Sequence, residues 1–238
     1  MTLFAPCELL AIAAHPDDAE LGCGGTLAAF ARNAPAAILD LTQGERASRG
    51  TPELRWEEAL EAARALGVAR GCLGLPDTAL AGTDPAQREA LVAALRKLRP
   101  QFLLLPHPED PHPDHRQAHQ LARAAVFLAG VAGYGTGGAW RPRVVLAYPG
   151  PRQLFEPQVV VDVSPVYDRK RSALACFRSQ FAPGEGEATH LASGFFLQAV
   201  EGRDRAWGNT VGVAFGEGFS LVGPQSATAL GAFFGRLG

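Results

Sequence analysis

The feature that most constrains the fold is an alternation along the first 150 residues. Five short apolar runs, at residues 9–14, 37–42, 72–75, 102–105 and 144–148, are separated by longer stretches with helical spacing at 25–33, 52–66, 85–98 and 114–129. Strand–helix units repeated at this length predict an α/β fold, a mostly parallel sheet with helices on both faces. The run Phe102-Leu-Leu-Leu105 shows no polar alternation, the pattern of a strand covered on both sides. Thr51-Pro52 and Asp84-Pro85 each put a capping residue and a proline at the start of a helix.

The texture then changes. Residues 130–138 are glycine-rich and read as a surface loop. A strand at 159–163, a helix from about 165 to 177 and a flexible stretch at 182–187 follow, and the last segment lacks clear periodicity. We read 1–238 as a single domain, with a core over about 9–150 and a C-terminal appendage over about 151–238. Hydrophobic residues make up 47% of the chain, enough for a substantial core.

A net charge of −2 offers no basic footprint for nucleic acid or an anionic membrane. No apolar run approaches the roughly 20 residues of a spanning helix, and residues 1–14 lack the pattern of a signal peptide. Cys7, Cys23, Cys72 and Cys176 are scattered, as befits reduced thiols. The expectation is a cytoplasmic protein.

In open α/β sheets the binding crevice lies outside the carboxyl ends of the strands. His15-Pro16-Asp17-Asp18 follows the first apolar run, and the stretch from His107 to His115 follows the fourth. Four of the six histidines fall in these two loops. A catalytic zinc site takes about three His or carboxylate ligands and keeps one position open. His15, Asp18 and His115 would supply that set. Asp17, beside the ligands without being one, is placed for a general base. His112 can stabilise an oxyanion or hand a proton to a leaving amine, and Asp114 can hold His112 in its charged form. Asp110 is placed to line the pocket.

Other readings compete. His115 and His119, four apart on one helix face, form a second possible metal pair. His107 and His190 stand alone and read as ordinary hydrogen-bonded or exposed residues, although His190 lies in a segment able to fold over the site. Gly22, Gly24 and Gly25 lack phosphate-loop spacing and read as a tight turn beside the metal loop. Two imidazoles and a carboxylate also suit Fe2+.

Ala14-His15-Pro16-Asp17-Asp18-Ala19-Glu20, together with His112-Pro113-Asp114-His115, closely resembles the LmbE-like (PIG-L) zinc deacetylases. The resemblance runs from about residue 9 to 181 and takes in Thr42-Gln-Gly-Glu45, Lys170-Arg-Ser-Ala-Leu and Ser179-Gln180-Phe181. It implies a Rossmann-like fold and hydrolysis of N-acetyl groups on glucosamine-containing substrates. By the same resemblance His15, Asp18 and His115 hold Zn2+, Asp17 is the base, His112 is the acid or oxyanion stabiliser, and Arg55 contacts substrate. It also implies a homo-oligomer, a hexamer built as a dimer of trimers.

The stretches at 170–181 and 212–218 look most like the bacillithiol branch, whose substrate is N-acetylglucosaminyl-malate. Chitooligosaccharides or another amino sugar are the alternative, and a non-catalytic metal- or nucleotide-binding α/β module is the rival from another class. Trp207 in Arg203-Asp-Arg205-Ala-Trp207-Gly208 departs from the family's Tyr-Gly pattern.

Overall fold

The computed structural model describes residues 5–184 and 187–238. The stretch 182–187, read as flexible, includes Glu185 and Gly186, which lie outside the described residues, as do residues 1–4 of the segment read for a signal peptide.

Five strands run parallel: β1 (Leu9–Ala13), β2 (Ala36–Asp40), β3 (Ala69–Cys72), β4 (Phe102–Pro106) and β5 (Val144–Tyr148). Two more, β6 (Val159–Asp162) and β7 (Gly216–Leu221), extend the sheet in the order β3-β2-β1-β4-β5-β7-β6: β7 runs antiparallel to β5, and β6, antiparallel to β7, restores the direction of the first five. Successive residues of a strand face opposite sides, and β1 divides accordingly. Leu9, Ala11 and Ala13 pack with α1 (Asp18–Phe30), α2 (Pro52–Leu66), α5 (Tyr167–Cys176) and α8 (Ala227–Phe234). Leu10 and Ile12 pack on the other face with α3 (Pro85–Leu98) and α4 (Pro113–Ala129). The α/β architecture with both faces covered is the one the alternation predicts.

The strand order reverses between β1 and β4. At such a switch point the loops leaving neighbouring strands diverge and open a crevice. The loops after β1 and β4 therefore meet there, although nearly a hundred residues separate them.

Three local expectations need correction. The third strand lies at 69–72 rather than 72–75, because Arg70 is a core residue: it is buried between Asp40, at 2.7 Å, and Glu20. The glycines near Cys23 are inside α1, not in a turn before it, and the helix breaks at Cys23, whose φ is −147°. They permit close approach: a Cβ on Gly22 would run into the Tyr148 ring, and one on Gly25 would lie 2.7 Å from Val163. The last segment is also more ordered than its pattern suggests, forming α7 (Phe196–Thr210), β7 and α8 after a short helix, α6 (Arg178–Phe181).

Candidate active site

The loop after β1 ends on Asp17, whose φ of 101° is unusual for a residue other than glycine. Such a conformation costs about 1–3 kcal/mol and persists only when its surroundings enforce it. Arg55, from the first turns of α2, does so. Its Nη2 donates to the Pro16 carbonyl at 2.7 Å and to Asp17 Oδ2 at 2.9 Å, and its Nη1 reaches the Gly44 carbonyl. Burial pushes the Asp17 carboxyl up to about 7 although the Arg55 charge pulls it down.

Asp18, the first residue of α1, lies between two imidazoles. Its Oδ2 accepts from the His15 backbone N–H at 2.8 Å and is 3.3 Å from His15 Nδ1, while its Oδ1 is 3.1 Å from His115 Nε2. Burial opposes its ionisation, yet the His115 and His15 contacts outweigh that and hold it well below the usual carboxylate range.

The outer nitrogens of both rings meet further carboxylates. His15 Nε2 is 3.1 Å from Asp77 Oδ1 and 3.3 Å from Asp114 Oδ2, and His115 Nδ1 is 2.9 Å from Asp110 Oδ2. Burial lowers the pKa of both imidazoles, but these anions more than reverse it. His115 rises to about 10 and His15 well above its ordinary value.

His112 caps α4, taking a hydrogen bond from the Asp114 backbone N–H on its Nδ1 at 3.2 Å. Its ring stacks on His115 with centroids 4.5 Å apart and meets His15 edge-on at 5.0 Å. Burial, together with the His115 and His15 charges, lowers its pKa, so the ring is neutral at pH 7. With Nδ1 accepting, Nε2–H is the donor it retains.

The structure thus gathers His15, Asp17, Asp18, Arg55, Asp110, His112, Asp114 and His115 around a cavity of about 290 Å³, with Asp114 in its wall behind His15. Three of them also have partners that the sequence did not suggest. The Asp114 carboxylate lies against His15 and accepts from the Thr78 N–H at 2.8 Å, so it does not hold His112 charged. Arg55 grips Asp17 and the loop backbone. Asp110 lines the cavity, but its carboxylate serves the His112 N–H and His115.

Elsewhere, His119 turns its Nδ1 to the Pro106 carbonyl at 2.8 Å, away from any metal pair with His115. His107 is buried against Gln153 and Phe155. His190 is exposed, while its neighbours Thr189 and Leu191 line the cavity. Trp207 packs under Gly218 and against Phe155.

Asp77 was missed by sequence reasoning. It follows Pro76 just beyond β3, so its strand-end position was the only available signal. Its Oδ2 accepts from the Arg46 N–H at 2.9 Å, and burial is overcome by His15 and these backbone donors, which hold it below the usual carboxylate range.

The donor chemistry fits a divalent cation. Among the described residues two sets of ligand atoms lie within 4.8 Å of one another, His15, His112 and His115 in one and His15, Asp77 and Asp114 in the other. Asp18 bridges His15 and His115, whose far nitrogens rest on carboxylates. Such backing fixes the tautomer and direction of a ligating imidazole.

A cluster of this kind at the switch point of a parallel sheet equips a metal-dependent amidohydrolase. Residues 10–126 match the PIG-L family, GlcNAc-PI de-N-acetylase. The diacetylchitobiose deacetylase of Thermococcus kodakarensis is 31% identical over 189 residues, covering 73% of this chain and 70% of that protein. The 1D-myo-inositol 2-acetamido-2-deoxy-alpha-D-glucopyranoside deacetylase of Mycobacterium leprae is 33% identical over 161 residues, covering 52% of this chain and 52% of that protein. A solved structure of a conserved protein from Thermus thermophilus is 43% identical with a TM-score of 0.84, covering 92% of this chain and 96% of that one. The chain belongs to the PIG-L (LmbE-like) family. No helix among the described residues is long and apolar enough to cross a membrane.

Proposed function

We propose that the protein hydrolyses the N-acetyl group of an N-acetylglucosamine conjugate, with N-acetylglucosaminyl-malate of bacillithiol synthesis as the substrate and Zn2+ held by His15, Asp18 and His115. The observation that carries this reading is the arrangement around Asp18. Two imidazoles converge on it, each backed by a carboxylate, while Asp17 sits alongside on Arg55. Bound there, the cation acidifies water and polarises an amide carbonyl.

The chain's own groups do the rest. Asp17, pushed up to about 7, accepts the proton of the attacking water near neutral pH. His112 presents its Nε2–H to the carbonyl oxygen as negative charge builds on it. Proton transfer to the nitrogen then accompanies cleavage of the C–N bond, and acetate and the free amine leave. A homo-oligomer, the hexamer implied by the family resemblance, and a cytoplasmic location belong to the same reading.

The test is Asp17→Ala. Metal content should be unchanged while acetate release falls about 10²–10⁴-fold, the range of a lost general base. Undiminished turnover of a substrate the parent cleaves would overturn the mechanism. The similarity to the Thermococcus kodakarensis enzyme supports diacetylchitobiose as a second reading, decided by comparing the two substrates under defined zinc loading.

A further inference from the structure

The cavity is chemically two-ended. Its inner end carries the carboxylates and imidazoles just described, and its rim carries Arg46, Arg49 and Arg152. These arginines come from opposite sides of the switch point. Arg46 and Arg49 lie in the loop after β2, and Arg152 lies in the turn after β5.

Their surroundings differ from those of Arg55. Arg55 is buried and held on Asp17 and two carbonyls. The Arg46 and Arg152 guanidiniums are exposed, and among the described residues neither has a hydrogen-bond or ion-pair partner. Glu45, the nearest acidic neighbour in sequence, accepts from the Asp77 N–H at 2.8 Å. Two unpartnered cations therefore face the mouth of a cavity whose floor is anionic. A neutral conjugate would use neither end of that gradient, whereas an anion on the aglycone would be drawn to the rim and turned away from the carboxylates at the floor.

We propose that Arg46 and Arg152 are specificity-determining residues that select N-acetylated amino sugars bearing a carboxylate or phosphate on the aglycone. This rests on the deacetylase reading and supplies what the metal cluster does not, a reason to prefer one conjugate over another. The rim orients the ligand, anion outward and acetamide inward, toward Asp17 and His112. Two exposed ion pairs of ordinary strength correspond to an affinity advantage of about tenfold. Because the pairs are exposed, salt should erode it.

The experiment titrates three probes into the zinc-loaded protein and into Arg46→Gln/Arg152→Gln, at low and high ionic strength. The probes are N-acetylglucosaminyl-malate, N-acetylglucosamine 1-phosphate and the neutral methyl N-acetylglucosaminide. The parent should bind an anionic probe about tenfold more tightly than the neutral one at low salt. That ratio should fall toward one in the double variant and at high salt, and the tighter of the two anions identifies the group recognised. A parent with no preference, or a ratio retained in the variant, overturns the proposal. Acetate release is read in parallel. If the parent cleaves none of the probes, the deacetylase reading loses its support, while the ratio of Kd values still decides the rim.

Discussion

Lys170 and Asp18 are both buried among opposite charges, yet their surroundings close in different ways. Lys170 is fully buried, its Nζ 2.7 Å from Asp204 Oδ2 and 2.6 Å from Glu217 Oε1. Those carboxylates are satisfied in turn. Glu217 accepts from the N–H groups of Gly25 and Thr26 and from the Thr26 hydroxyl, and Asp204 accepts from Tyr167 and Arg203. Around Asp18, by contrast, Asp17, Asp77, Asp110 and Asp114 share His15, His115 and Arg55. Negative charge is in surplus there, and captured protons make it up, which is why His15 and His115 are raised. The first cluster is complete as it stands. The second calls for a cation.

The difference can be broken first at Lys170. Lys170→Met leaves the buried Glu217 carboxylate without a countercharge and Asp204 with Arg203 alone, and should cost about 3–5 kcal/mol in chemical denaturation. The molecules that still fold should bind zinc with parental stoichiometry. Loss of zinc with undiminished stability would mean that the two clusters are not separate.

A smaller effect is expected at Asp110, which backs His115. Asp110→Asn should weaken metal binding about 10–100-fold, the usual effect of removing a carboxylate behind a ligating histidine. Competition with a chelator measures it, and parental affinity would leave the Asp110–His115 contact with no part in holding the metal.

The mildest perturbation is pH. His115 is raised from an ordinary value of 6.5 to about 10 in the metal-free fold. Its contribution to metal-free stability is therefore complete below about pH 6.5 and is lost as pH rises through about 10. Metal binding needs the unprotonated ring, so affinity should climb over that same window. At about pH 8 each metal bound should expel at least about one proton. Calorimetry in buffers of different ionisation heat reads this directly, and zero release would contradict the surplus-charge account.

Legibility in the sequence followed the same divide. The loops after β1 and β4 stand out because clean apolar runs end abruptly in histidine and aspartate. β3 was misplaced because Arg70 looks like a surface residue until Asp40 and Glu20 are seen around it. β7 was invisible because it opens Gly216-Glu217-Gly218. Gly218 lies where a Cβ would meet Trp207 at 2.9 Å, and Glu217 serves a helix far earlier in the chain. Contacts between distant segments leave no periodicity to read. Asp77 and the clamp by Arg55 on Asp17 were hidden for the same reason, since a lone residue carries no spacing.

The carboxylate of Glu217 on Gly25 and Thr26 has a consequence for biosynthesis. It receives α1 where the helix resumes after its break at Cys23, only a few residues beyond Asp18. A nascent chain that has emerged through His115 already holds every proposed ligand, yet the helix presenting Asp18 still lacks its anchor. That anchor comes only when the strand at Gly216–Leu221 leaves the ribosome. The helix that presents Asp18 is thus made well before the strand that anchors it.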